Sequence, residues 1–368
     1  MRWTESQCHR ANLARWPILL LMNAKIRFRR RALLALLASF CLHAEAVSAN
    51  ASAPLFDDTG LLDVELVGPV SSVLEDREER KEQRFRLVLN DAGHDVWVRV
   101  RGKSRSRKST CQFPPLRFRF EAADGVFAGQ EKIKLVTHCR NSDRGDADVM
   151  EEYVAYRIFN LLSPFSLRVR PLRLTYSDTD GNLSKKARQR YGFLIEPVQH
   201  LAERTGGELL ELDGVALSWL DSEQAALVYV FEYLIGNTDW SFVTGGGSDH
   251  CCHNGRLLKV DGRIEYVPYD FDLAGLVNTR YAKPDPSLNL RNVRQRRYRG
   301  FCTDSDTLLN AIRTVVDLEE EIYDVVRTTP GLEGKRKQKD IEYLGDFFSE
   351  ARDQGELLAE FEKRCLDD

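Results

Sequence analysis

Three short polar segments in the second half of the chain carry side chains of the types that work on phosphate esters: Asn237-Thr-Asp-Trp240, Asn254, and Tyr269-Asp-Phe-Asp272. Phosphoryl transfer asks little covalent chemistry of a protein. It needs a carboxylate to orient the attacking hydroxyl and receive its proton, and hard oxygen ligands for the divalent metal that travels with the phosphates. Asp239 is the candidate for the first task. Asp270, with Asn254 and Asp272, is the candidate set for the second, because Mg²⁺ takes a few protein oxygens and completes its shell with water and phosphate. Plainer readings stand beside these. Asp239 can cap the turn after a helix, since Asn237-Thr-Asp is turn-favouring composition, and Asp270 and Asp272 can be ordinary loop acids. A carboxylate that follows an apolar strand end is costly unless paired, which favours a role for Asp270. Gly245-Gly-Gly247 precedes no Lys-Ser/Thr and so reads as a flexible loop, not a phosphate-binding one. No Gly-x-Ser-x-Gly elbow or His-Glu-x-x-His helix is present, which weakens hydrolase and metalloprotease readings. His138 and His200 read as structural.

The elements that must position these residues can be read from periodicity. From Leu61 to about Val198 the pattern is β-rich. Asp95–Arg101 and Leu116–Phe120 alternate apolar and polar residues as half-buried strands do, and strands are also expected at Lys132–Thr137, Leu167–Thr175 and Tyr191–Val198, giving a sheet of about five. Met150, Val154, Ile158 and Leu161 recur at helical spacing and predict a helix of about four turns. The charged run Glu75–Arg84 reads as a solvated helix or loop. Beyond Ala202 the chain is mostly helical. Asp221 with Gln224 forms a capping-box start, Ala226, Leu227, Val230, Phe231 and Leu234 make the buried face, and Gly236 ends that helix just before Asp239. Leu257–Val260 and Arg263–Val267, joined by Asp261-Gly262, predict a β-hairpin that delivers Asp270. Residues 305–365 read as two or three helices, broken around Pro330-Gly331 and Gly355.

The charge distribution is uneven. Residues 1–49 hold eight Lys or Arg against two Glu, a local +6 within a chain whose formal net charge is −3, so residues 50–368 carry −9. An acidic body argues against nucleic acid as the main partner. The basic block Lys25–Arg31, the short apolar run Ala32–Leu42 and Val47-Ser-Ala49 together read as a secretory signal peptide, with Met22 as a possible true start. An uncleaved anchor is the plainer alternative. No later stretch is apolar enough to span a membrane. Export, to the periplasm or outside the cell, would leave six cysteines in an oxidising compartment: Cys111, Cys139, Cys251, Cys252, Cys302 and Cys365. Six cysteines allow 15 pairings. Cys111 with Cys139 is the favoured pair, because both flank neighbouring expected strands. Zinc at His250-Cys-Cys-His253 competes, although four adjacent residues space the ligands poorly for a tetrahedral site.

The segments Gly236–Trp240 and Tyr269–Asp272 resemble the catalytic and metal-binding motifs of the spore-coat CotH kinase family, an atypical branch of the protein-kinase-like fold. Arg101-Gly-Lys-Ser104, Phe113-Pro-Pro-Leu-Arg117, Leu135-Val-Thr-His138 and Gly192-Phe-Leu-Ile-Glu196 follow the family's order, so the resemblance covers roughly residues 95–280. It implies Asp239 as catalytic base, Asp270 as metal ligand and Asn254 as second ligand. It further implies Lys134 or Arg117 as the phosphate-facing cation, Glu152 as that cation's helical partner, and Glu196 in the linker beside the nucleotide base. For Lys134 the competing reading is a solvent-facing strand residue; for Glu152, beside Glu151, a solvated helix-face acid. The sequence departs from the family at three points: the long insert between Asp239 and the hairpin, the lack of a Gly-x-Gly-x-x-Gly run, and arginines where a lysine is expected on Leu116–Phe120.

The resulting expectation is a two-lobed α+β protein-kinase-like fold: a leader over 1–49, a β-rich lobe with one helix over 50–200, and a mostly helical lobe over 201–368. Function is expected to be Mg²⁺- or Mn²⁺-dependent transfer of the ATP γ-phosphoryl group to a hydroxyl, on an exported protein acceptor. A non-catalytic exported binding or scaffold module is the rival. A disulfide-stapled structural domain, a third reading, places Asp239 and Asp270 far apart.

Overall fold

Seven strands of alternating apolar residues form the first half of the protein, and they close on themselves. The computed structural model describes residues 54–243 and 251–367; the leader, Gly245–Gly247 and His250 lie outside them. The strands are β1 (Leu62–Gly68), β2 (Gln83–Leu89), β3 (Ala92–Val100), β4 (Leu116–Phe120), β5 (Lys132–Thr137), β6 (Val169–Asp178) and β7 (Gln189–Ile195). They are hydrogen-bonded in the order β1-β2-β3-β4-β5-β7-β6, and β6 returns parallel to β1, Leu62 facing Leu172 and Gly68 facing Asp178, to complete a barrel. Val96, Val98, Leu116, Phe118, Leu135 and Leu194 point inward and make the barrel core. Because side chains alternate across a strand, Val136, Val169, Phe193 and Ile195 point outward from the same strands and join a second core.

That outer face is covered by helix. α1 (Val70–Glu75) is short, whereas α2 (Asp143–Leu162) runs 20 residues from a Ser142 cap and is buried along most of its length. Then come α3 (Val198–Thr205), α4 (Ser222–Ile235), α5 (Ser305–Asp317), α6 (Glu319–Thr328), α7 (Lys335–Glu350) and α8 (Gln354–Arg364). A second sheet lies within this helical part, β8 (Glu208–Leu210), β9 (Gly255–Val260) and β10 (Arg263–Pro268), in the order β10-β9-β8.

The expected two-lobed kinase-like fold, with a sheet of about five strands and one helix in its β-rich lobe, is therefore overturned. Both α and β elements are present, but the sheet is a closed seven-stranded mixed barrel. The difference arises between Leu62 and Leu89. β1 pairs with both β2 and β6, which removes the two free edges an open sheet would have. The charged run Glu75–Arg84 is neither one helix nor one loop. The Asp76 carboxylate accepts from the amides of Glu79, Arg80 and Lys81 and turns the chain, and β2 then starts with Arg84 and Arg86 outward and Phe85 and Leu87 inward.

The elements next to the candidate residues match their sequence signals more closely. Asp221 caps α4 by accepting from the Glu223 and Gln224 amides, and Gly236 ends the helix at φ 67°. A Cβ on Gly236 would stand 1.9 Å from the Tyr343 hydroxyl oxygen, so both conformation and space demand glycine. β9 and β10 pair from Gly255–Pro268 to Val260–Arg263, and Asp261 and Gly262 turn with positive φ of 49° and 86°. In α2, Leu161 is exposed and Leu162 takes the buried position expected of it. Disulfides join Cys111 to Cys139, Cys251 to Cys252 and Cys302 to Cys365. Among the described residues no helix is long and apolar enough to cross a membrane.

Candidate functional site

Asp239 follows the end of α4. The Asn237 side chain accepts the Asp239 amide at 3.0 Å, and the Arg299 guanidinium binds the Thr238 carbonyl, so the turn is held from both sides. The Asp239 carboxylate is then gripped by two residues from beyond the insert. His253 Nε2 lies 2.9 Å from Oδ1, and the Asn254 amide nitrogen donates to Oδ2 at 2.9 Å and to the Asp239 carbonyl at 2.6 Å. A backbone hydrogen bond from Ser241 to His253 brings the insert back to its starting point, which is why its length does not remove Asn254 from the site. The hydrogen bond to Asp239 raises the His253 pKa and favours its charged form.

Asp270 is linked to this group through the backbone, since the Tyr269 amide donates to the Asn254 carbonyl at 2.9 Å. Asp239 and Asp270 are therefore neighbours of one small cluster, not distant residues. Asp270 itself sits at φ 68°, unusual for a residue with a side chain, and its amide donates to the Tyr156 hydroxyl of α2 at 2.9 Å.

One buried cation organises the acids. Arg105, in the loop after β3, binds Glu152 of α2 at 2.9 Å through Nη1, Asp270 Oδ1 through Nη2, and Asp272 Oδ2 at 3.3 Å through Nε. Tyr281 donates to Asp272 Oδ2 at 2.8 Å. Burial pushes the Asp272 pKa up to about 8 and raises that of Glu152, while the three acids hold Arg105 firmly charged. Glu152 and Glu151 are both buried, so the solvated-face reading fails for both; Glu151 binds Arg336 of α7.

Three further basic groups approach the same point. Lys134 Nζ lies 5.5 Å and the Arg256 guanidinium 4.8 Å from the centroid of the Tyr269 ring. Burial, then Arg101 and Arg256, lower the Lys134 pKa to about 8, while Asp270 opposes the shift. Lys134 is thus half-buried against other charges, not a solvent-facing strand residue. Burial and the neighbouring Arg105 likewise lower the Arg101 pKa. None of Arg101, Lys134 and Arg256 has a carboxylate at salt-bridge distance among the described residues, whereas Arg105 has three.

The remaining expected site residues lie in other groupings. Arg117 faces Lys134 across β4 and β5, yet its guanidinium lies 3.8 Å from Glu82, a carboxylate that also takes Arg119. Glu196 is buried, its carboxylate held by Arg204 at 2.9 Å and by the Arg168 amide at 3.0 Å, so both oxygens are engaged. Cys251 and Cys252 are bonded to each other and His253 is held by Asp239, which leaves no thiolate set there for zinc. His138 is fully buried, with its pKa lowered to about 3 by burial, as a structural histidine.

Sequence reasoning missed Arg105, which lies one residue past the quoted Arg101–Ser104 motif; its only signal was membership of a basic run, Arg101–Lys108. It also missed Glu232 of α4. This acid is fully buried, neither of its oxygens has a hydrogen-bond partner, and burial raises its pKa from 4.5 to about 8, with Asp239 adding to the shift and Asn237 opposing it. The unfolded chain ionises Glu232 first as pH rises, so the native state loses stability between those two values. Glu232→Gln is expected to remove this loss. Relative to wild type, its unfolding free energy should gain about 2–4 kcal/mol between about pH 5 and about pH 8. Urea titrations at the two pH values check this, and a difference that does not change with pH would mean that Glu232 carries no proton.

Donor chemistry fits a hard divalent cation. After the hydrogen bonds above, Asp270 Oδ2, Asn254 Oδ1 and Asp272 Oδ1 are the oxygens left over, all of a type Mg²⁺ accepts. Among the described residues no cluster of three or more His, Cys, Asp or Glu is placed to hold a metal, so a bound phosphate would have to supply part of its shell.

No family model matches the chain, and no curated protein matches it, so the CotH resemblance rests on short motifs alone. Among solved structures, the crystal structure of a Helicobacter pylori proinflammatory kinase, CtkA, is similar at 12% identity and a TM-score of 0.36, over 77% of this chain and 98% of that one. A similarity of that extent decides neither fold nor function.

Proposed function

We propose that the cluster around Asp239 and Asp270 binds a metal-complexed nucleoside triphosphate and transfers its γ-phosphoryl group to a hydroxyl. The observation that carries this reading is the set Arg101, Lys134 and Arg256. Three basic side chains converge beside Tyr269-Asp270 with no carboxylate at salt-bridge distance among the described residues, and burial, with repulsion from neighbouring cations, disfavours the charges of Arg101 and Lys134. A polyanion is the ligand that relieves this arrangement.

Asp270 Oδ2 and Asn254 Oδ1 would hold Mg²⁺ or Mn²⁺, which neutralises charge on the phosphates. Arg101, Lys134 and Arg256 would bind phosphate oxygens. Arg105 keeps Asp270 oriented and, through Glu152, ties it to α2. Asp239 accepts the proton of the acceptor hydroxyl as the new P–O bond forms and the nucleoside diphosphate departs with the electrons of the broken bond. His253 and Asn254 fix the Asp239 carboxylate for that transfer. The basic leader and the three disulfides favour an exported protein with an exported acceptor.

One observation favours the rival, non-catalytic nucleotide-binding reading: both Asp239 carboxylate oxygens are already hydrogen-bonded. Calorimetric titration of the oxidised protein with ATP, with and without Mg²⁺ or Mn²⁺, tests the site. Metal-dependent binding is expected, weakened at least about 100-fold by Asp270→Ala, as loss of a metal ligand should do. No binding under any metal would sink the nucleotide reading. Binding without phosphorylated product would leave the non-catalytic one.

A further inference from the structure

A cavity of about 830 Å³ lies away from the cluster just discussed, between the end of α2, the start of α4, the β9–β10 turn and α5. Four carboxylates line it: Asp221, Glu223, Asp261 and Glu265. One guanidinium answers them, that of Arg263, and it is held by Asp221 at 2.9 Å. Leu162, Phe165, Leu227 and Val260 supply apolar wall.

The polar groups at the base of this cavity are satisfied, with one exception. Ser163 donates to the Gln224 carbonyl oxygen at 2.8 Å, and Gln224 donates to the Tyr266 carbonyl at 3.0 Å. Glu265 is only 4% exposed, and its Oε2 has no hydrogen-bond partner. On β10 its neighbour Tyr266 packs into the core while Glu265 turns to the opposite face, the one that lines the cavity. An unpartnered buried carboxylate costs free energy. A strand residue chosen only for packing would be apolar here.

We propose that this cavity is a binding site for an organic cation, an ammonium or guanidinium on a short aliphatic stem, whose charged end pairs with Glu265 while its stem lies along Leu162, Leu227 and Val260. Size suits such a ligand. Asp221, Glu223 and Asp261 add attraction at the mouth. Burial and the nearby Asp221 and Glu223 raise the Glu265 pKa to about 7, opposed by Arg263. A cation therefore binds with proton release, and affinity rises with pH through that value. This site is independent of the nucleotide reading, and neither depends on the other.

Agmatine, which carries an ammonium and a guanidinium on a four-carbon stem, is the probe, titrated calorimetrically into the full-length oxidised protein. Binding is expected to strengthen at least about tenfold between about pH 5.5 and about pH 8. Glu265→Gln is expected to weaken it at least about tenfold at the higher pH. Thr314→Trp, on an exposed wall position of α5, should block it without touching the core. The neutral analogue butylurea should not bind. Absence of agmatine binding to the wild type, equal binding by Glu265→Gln or Thr314→Trp, or equal binding of butylurea would each overturn the proposal. Circular-dichroism melts confirm that both variants are folded; were Glu265→Gln not to fold, Thr314→Trp still decides.

Discussion

Arg105→Met should lower the unfolding free energy by about 3–5 kcal/mol near pH 8, more than any other single substitution around the nucleotide site. The reason is not the strength of its ion pairs but what removal leaves behind. Glu152 and Asp272 are buried acids that share this one guanidinium, and without it neither keeps a salt-bridge partner among the described residues. Both already have raised pKa values, that of Asp272 about 8. In the variant they would take up protons more readily still, so the loss should shrink as pH falls. Arg105→Lys should recover only part of the stability, because an ammonium cannot reach three carboxylates from one planar fork. Urea unfolding of the three proteins at two pH values measures all of this. A loss below about 1 kcal/mol at the higher pH would mean that the acids stay neutral in the native protein and that Arg105 does not organise them.

Asp239→Asn should slow phosphoryl transfer by about 10²–10⁴-fold while changing ATP affinity only a few-fold. Asn keeps the shape of the side chain and its contact with the Asn254 amide, but it cannot accept the acceptor's proton. Asp270→Ala should show the opposite pattern, with binding lost. Single-turnover rates and calorimetric affinities on the same preparations separate the two. Equal loss of ATP affinity in both variants would reassign Asp239 to metal or phosphate binding. In the same assay His253→Gln should move the pH–rate profile, since the hydrogen bond to Asp239 raises the His253 pKa.

How much of this was legible beforehand differs between elements. α4 and the β9–β10 hairpin were readable because their signals are local: Asp221 caps within three residues, Gly236 adopts the left-handed conformation that ends a helix, and Asp261-Gly262 makes a two-residue turn with positive φ at both positions. Those two elements carry Asp239 and Asp270, so the candidate residues could be named from the sequence. The Cys111–Cys139 pair was legible for a similar reason, as both cysteines flank neighbouring strands.

Barrel closure was not readable in the same way. β1 and β6 are separated by about a hundred residues, and their parallel pairing is set by which edges remain unpaired after the other strands have assembled. No local pattern records that. The choice of cation was hidden for a related reason. Arg101, Arg105, Arg117 and Lys134 are alike in sequence as basic residues in or beside strands, but only the tertiary structure gives Arg105 to Glu152, Asp270 and Asp272 and Arg117 to Glu82. Charge type and spacing determined which residues could do chemistry here. Burial and long-range pairing decided which of them meet, because the cost of an unpaired buried charge is fixed by neighbours that the local sequence does not contain.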